Sequence, residues 1–211
     1  MNTSASIHRL LFFGLALSLS TGCGEPETSP ATAEQEQGSE PAADQPPPDL
    51  GAADRDPAAP TEIYGFSWVT PALAGLPRPG IGGKLPNDLA FLAAEGVNTI
   101  VSLTVTALPE DDVSAHGMAL VHIPVVDGQP PTPKQIDEFV ALAKQGEADG
   151  TKIAVHCTAG RGRTGTMLAA WFISTGMSAV DALAHIRKLR PLSVETSGQE
   201  QALEDYAARQ D

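Results

Sequence analysis

Three apolar residues, Ile153-Ala154-Val155, run into His156-Cys157-Thr158-Ala159-Gly160-Arg161-Gly162-Arg163-Thr164-Gly165, and the chain continues as Thr166-Met167-Leu168-Ala169-Ala170-Trp171-Phe172-Ile173 up to Gly176. No other stretch restricts the fold as much. The first run is short and β-branched at its ends, the pattern of a buried strand. The last is rich in good helix formers and stops at a glycine. The loop between them lies where a strand's carboxyl end meets a helix's amino end. There, unpaired backbone N–H groups and the helix dipole favour an anion.

Each residue type in the loop suits one part of phosphoryl chemistry. Cys157 is a weak nucleophile as a thiol, but converging N–H groups, the dipole and nearby Arg side chains favour the thiolate. Arg163 can grip two phosphoryl oxygens in a planar fork and stabilise charge in the transition state, which Lys cannot do with the same geometry. Gly160 and Gly162 allow a tight turn and close approach of the backbone to a ligand. Thr164 offers a hydroxyl near the sulfur, and His156 is expected to hydrogen-bond loop backbone.

The segment resembles the Cys-x5-Arg signature of protein tyrosine phosphatases, in the form His-Cys-x-x-Gly-x-x-Arg-Thr-Gly. The resemblance implies that Thr158, Ala159, Gly160, Arg161, Gly162 and Thr164 complete the phosphate-binding loop around Cys157 and Arg163. Such an enzyme also needs an acid for the leaving oxygen. Val121-His122-Ile123-Pro124-Val125-Val126-Asp127-Gly128-Gln129-Pro130-Pro131 is similar to the corresponding stretch of the small atypical dual-specificity phosphatases, which makes Asp127 the general acid. Asp111 and Asp112 are the competing acids. The likeness runs from about Phe66 to about Ala208. It implies that residues 193–200 lie near the loop, with Gln199 as a candidate to position water. Ser197-Gly198-Gln199-Glu200 also reads as a capping box, with Ser197 and Glu200 satisfying helix N–H groups, and that reading is favoured.

The rest of the domain reads as α/β, a single central and mainly parallel sheet of four to five strands flanked by helices, as the resemblance also implies. The patterning predicts strands over Ser67–Val69, Asn98–Leu103, Leu120–Ile123 and Lys152–His156. Helices are predicted over Asn87–Glu95, Pro133–Ala148, Thr164–Thr175, Ala179–Leu189 and Gln199–Arg209. Thr132 with Gln135 forms a capping box ahead of Pro133. Ile136, Phe139, Val140 and Ala143 fall at helical spacing and are expected core, as are Val180, Leu183, Ile186 and Leu189. About 145 residues suffice for one core without disulfides.

The first sixty residues concern location. Arg9 precedes a short apolar run from Leu10 to Leu19, too short to span a bilayer comfortably but suited to an export signal over residues 1–22. Leu19-Ser20-Thr21-Gly22-Cys23-Gly24 resembles a bacterial lipobox with Cys23 as the lipidated residue, although Ser20 stands where an aliphatic residue is more usual. The expected location is the bacterial cell envelope, anchored to the membrane by lipid. A secreted or periplasmic soluble protein is the alternative. Residues 23–61 are rich in Pro, Ala, Gln and acid, with ten acidic residues from Gly24 to Glu62 against Arg55 alone. They lack the apolar clusters needed to fold and read as a tether ahead of the catalytic domain, residues 62–211.

Most of the net charge of −13 belongs to that tether, because residues 63–211 carry sixteen acidic and eleven basic side chains. A broad nucleic-acid-binding face is therefore not expected. No zinc-ligand spacing is present, and the chemistry calls for neither metal nor cofactor. The expected partners are phosphorylated proteins or peptides and, through the anchor, a membrane, with the protein a monomer. The leading function is a protein tyrosine phosphatase that also accepts phosphoserine and phosphothreonine. Arg161 keeps open a phosphoinositide or inositol polyphosphate phosphatase, and a phosphoprotein-binding module without catalysis is a further alternative. With Cys23 lipidated, Cys157 has no disulfide partner. Peroxide without reductant is accordingly expected to inactivate the protein, as phosphate release before and after treatment would show.

Overall fold

The computed structural model describes residues 61–210, and the structural statements below concern these. The export signal, Cys23 and the tether up to residue 60 lie outside them. Five strands form one sheet in the order β1 (Ser67–Trp68), β2 (Leu73–Leu76), β5 (Ile153–His156), β3 (Thr99–Ser102) and β4 (Ala119–His122). Only the β1–β2 pair is antiparallel, and β5 is the central strand, with Val155 opposite Gly75 on one side and Val101 on the other.

Alternation along the strands sorts the core into two layers. Leu73, Val101, Ile153 and Val155 face a layer formed with α3 (Pro133–Asp149), α4 (Gly162–Ser174), α5 (Ala179–Leu189) and α6 (Ser197–Ala208). Ala74, Leu76, Ile100 and Ala154 face the smaller layer with α1 (Leu85–Ala94) and α2 (Glu110–Ala115). Helix α4 is buried from Gly162 to Ile173, so it needs apolar residues on every side, and its sequence supplies them. Helix α3 starts at the Thr132–Gln135 capping box and stops at Gly150, whose φ of +78° suits glycine.

Several sequence expectations need correction. Strand β2 was not anticipated, because Leu73-Ala74-Gly75-Leu76 lies between Pro71 and Pro77 and has no β-branched residue. All four residues are nevertheless buried. The six-residue α2 was missed for its shortness and its three leading acids. Helix α6 is capped by Thr196, whose hydroxyl accepts from the Gln199 N–H. The Ser197–Glu200 box does not form, and Glu200 instead pairs with Arg187. On α5, Ala182 and Ile186 are the buried pair, while Val180 and Leu189 are exposed because the helix leans on α4 through a narrower stripe.

His156 ends β5 fully buried, with Nδ1 donating to the Cys157 carbonyl at 3.0 Å and Nε2 without a partner among the described residues. Burial lowers its pKa to about 4, aided by the charges of Arg78 and Arg163 and opposed by that hydrogen bond. The folded protein therefore holds the imidazole neutral where the unfolded chain would take up a proton. As pH falls from the ordinary His value toward 4, the unfolded state binds more protons and stability is lost, by about 3 kcal/mol for this group. Urea midpoints measured between pH 6.5 and 4 should fall more steeply for the wild type than for His156→Asn, which keeps a donor but does not titrate.

Candidate active site

Cys157 follows β5 directly and lies at the carboxyl end of the central parallel strand, where open α/β sheets bind ligands. The thiol is buried and has no disulfide partner among the described residues. From Cys157 the backbone turns through Thr158–Arg161 into the first turn of α4. The loop is fastened at both flanks. Arg78 N–H donates to the Thr158 carbonyl at 3.0 Å, and Leu103 N–H donates to the His156 carbonyl at 2.9 Å.

Three glycines mark where the loop touches its surroundings. Gly160 has φ +71°, and a Cβ there would lie 2.5 Å from the Leu76 carbonyl and the Pro77 nitrogen. A Cβ on Gly162 would meet Glu195 Oε2 at 2.5 Å, and one on Gly165 would meet Ser193 Cβ at 2.6 Å. The loop and the start of α4 are therefore wedged between the end of β2 and the turn before α6. That turn holds two non-glycine residues at positive φ, Leu192 at +68° and Val194 at +61°, conformations that cost about 1 kcal/mol or more each. Arg187 fastens it by donating to the Ser193 and Val194 carbonyls at 3.1 and 2.9 Å.

Arg163 is 3 % exposed. Nη1 donates to the Val125 carbonyl at 2.9 Å, and Nη2 donates to Asp127 Oδ1 at 2.5 Å and Thr158 Oγ1 at 3.0 Å. One guanidinium thus ties the start of α4, the catalytic loop and the loop after β4 together. The Asp127 carboxylate is largely exposed and is paired on the outer edge of the guanidinium. Asp111 and Asp112 lie on α2, where their backbone carbonyls accept from Ser114 and His116, and no hydrogen bond joins them to the loop among the described residues.

The other expected site residues fall as follows. Thr158, Ala159 and Arg161 are exposed on the loop, Gly160 and Gly162 are buried, and Thr164 is fully buried with its hydroxyl unpartnered among the described residues. Gln199, set aside in favour of a cap, has its side chain turned to the loop. It is 1 % exposed, Oε1 accepts from Glu195 N–H at 2.9 Å, and its amide lies about 3.0 Å from where a Gly162 Cβ would be. Glu195 lies in the 193–200 stretch expected near the loop, but no role was assigned to it. Its Oε2 accepts from the Gly162 N–H at 3.0 Å, satisfying one of the free donors at the start of α4. A Thr-x-x-Gln pattern at residues 196–199 held the missed signal, since the capping half uses only the Gln199 backbone and leaves the side chain free.

Comparison with known proteins gives the same picture. Residues 74–177 match the family model described as a polymorphic toxin system DSP-PTPase phosphatase. The chain is 34 % identical over 117 residues to human protein tyrosine phosphatase type IVA 3, spanning 54 % of this chain and 67 % of that one. Among solved structures, Tk-PTP in its active form superposes with a TM-score of 0.62 at 25 % identity, over 69 % of this chain and 98 % of that one. DUSP15 superposes with a TM-score of 0.57 at 27 % identity, over 68 % and 87 % respectively. Family model, relatives and fold agree with the Cys-x5-Arg loop at the head of α4, and the chain belongs to the cysteine-dependent protein tyrosine phosphatases, as a small dual-specificity phosphatase of the atypical type.

Proposed function

We propose that this phosphatase hydrolyses phosphotyrosine in proteins and also accepts phosphoserine and phosphothreonine, through a cysteinyl-phosphate intermediate. The observation that carries the reading is the Arg163 guanidinium, held beside the Cys157 loop and in contact with Asp127. The Cys157 thiolate attacks phosphorus in line. The S–P bond forms as the P–O bond to the leaving group breaks, and the Asp127 carboxylic acid gives its proton to the departing oxygen. Arg163 and the loop N–H groups hold the equatorial oxygens. Water then attacks phosphorus, loses a proton to the Asp127 carboxylate, and displaces the thiolate with release of inorganic phosphate.

The contact between Arg163 and Asp127 gives this cycle a starting point. Asp127 occupies an N–H of Arg163 that phosphoryl oxygens would use, so substrate binding exchanges one anion for another at the guanidinium. We further propose that the enzyme works at the bacterial cell envelope, carried there by residues 1–22 and held by lipid on Cys23. A second reading takes inositol phosphates or phosphoinositides as substrates. Exposed Arg161, on the wall of a groove beside the loop, favours it by offering a cation to a second phosphate.

Cys157→Ser is expected to lower turnover at least about 10⁴-fold while phosphate-ester binding persists. Asp127→Ala is expected to lower kcat about 10²- to 10⁴-fold with binding preserved, because it releases Arg163. Steady-state phosphate release from phosphotyrosine and phosphothreonine peptides, phosphoinositides and inositol hexakisphosphate checks both. Cys157-dependent turnover strongest on phosphotyrosine supports the proposal, preference for the inositol compounds moves the second reading forward, and a fully active Cys157→Ser protein sinks the mechanism.

A further inference from the structure

Arg190, the C-cap residue of α5, carries a charge that the scheme above does not use. Its guanidinium lies behind the catalytic loop, with the residue 9 % exposed. Nη2 donates to the Gly160 carbonyl at 2.9 Å. Nη1 serves the Gly65 carbonyl at 3.1 Å, Ser67 Oγ at 2.5 Å and the Gly75 carbonyl at 2.7 Å. Gly75 makes room for it, because a Cβ there would lie 2.9 Å from both Cζ and Nε of Arg190.

All four partners are neutral. The ion pairs among the described residues join Arg163 to Asp127, Arg187 to Glu200 and Arg209 to Asp137, and none includes Arg190. A buried guanidinium without a carboxylate is costly, and holding carbonyls alone does not require a full charge. Burial pushes its pKa below the ordinary arginine value, and the charge of Cys157 is the influence that acts the other way. The Gly160 contact places the guanidinium charge directly against the Cys157 loop.

The contact with Gly160 also has a directional effect. A trans peptide is planar, with its carbonyl and N–H pointing in opposite directions. Pulling the Gly160 carbonyl back onto Arg190 turns the N–H of the same peptide, that of Arg161, away from Arg190 and toward the open side of the loop. Positive φ at Gly160 lets the chain hold that orientation.

We propose that Arg190 is a positioning residue for catalysis, fixing the Gly160–Arg161 peptide with its N–H toward the phosphate and placing a buried positive charge behind the thiolate and the bound dianion. The assignment rests on the phosphatase reading for its kinetic part only. Alkylation of Cys157 by iodoacetate, and protection from it by inorganic phosphate, report on the thiolate and the anion site without any substrate.

The test uses the full-length protein, with Arg190→Met, Arg190→Lys and Gly75→Ala, each checked for folding by circular dichroism. Arg190→Met is expected to slow alkylation at pH 6 and weaken phosphate protection by about tenfold or more, and to lower kcat more than it raises KM. Arg190→Lys should recover much of the alkylation rate, by keeping the charge, but less of kcat, because one ammonium cannot hold four acceptors in a plane. Gly75→Ala should lower kcat with the charge still present. A folded Arg190→Met protein with wild-type alkylation, protection and kcat overturns the assignment. If that variant does not fold, Arg190→Lys with wild-type kcat and protection overturns it. Wild-type protein without phosphatase activity, but with Arg190-dependent alkylation and protection, instead removes the proposed substrates and keeps the positioning role.

Discussion

The buried guanidinium of Arg163 is the contact on which the active centre depends. It comes from the first turn of α4, and its hydrogen bonds end on Leu103, Val125 and Asp127 as well as on nearby Thr158, so it joins segments that are far apart in sequence. A cation this deeply buried is tolerated only when its donors are filled. The carbonyls after β3 and β4, the Thr158 hydroxyl and the Asp127 carboxylate accept from its two Nη groups, and in doing so they tie the Cys157 loop to the loop that carries Asp127. The sheet order puts the two loops at the same end of parallel strands, which makes the contact possible.

Around that contact the loop is shaped from outside as much as by its own sequence. Gly160 rests on the backbone at the end of β2, Gly162 on Glu195, and Gly165 on Ser193. Each of these approaches is closer than a side chain would allow. Arg187 and Arg190 hold the turn between α5 and α6 by its carbonyls and by the loop behind it. The positive φ of Leu192 and Val194 is the local strain that these bonds offset.

What was legible in the sequence was whatever is local. The β5–loop–α4 unit that carries Cys157 and Arg163 and the capping box of α3 announce themselves within a few residues, since each needs fixed residue types at fixed spacing. Of the three candidate acids, Asp127 is hydrogen-bonded to Arg163, while Asp111 and Asp112 make only local backbone contacts among the described residues. Features that depend on what lies across the fold were hidden. Strand β2 is a strand because β5 pairs with it, and its Leu-Ala-Gly-Leu carries no β-propensity of its own. Residues 193–200 were expected near the loop, with Gln199 a candidate there, but the specific contacts of Glu195, Gln199 and Arg190 run across the fold or through a neighbour's backbone, which no periodicity records. Val180 fits a helical stripe, yet α5 buries a narrower one than the pattern implies.

Helix α4 is enclosed on all sides from Gly162 onward, and this has a bearing on how the protein opens. Many enzymes carry their reactive groups on segments that unfold by themselves at little cost, separate from the global transition. Here the backbone that follows the nucleophile runs straight into the most enclosed helix of the domain. Exposing its amides is expected to require the surrounding helices to part. The reactive loop and the hydrophobic core therefore form one cooperative unit, and substitutions that loosen the packing of α4 draw on the same reserve of stability that keeps the phosphate cradle in shape.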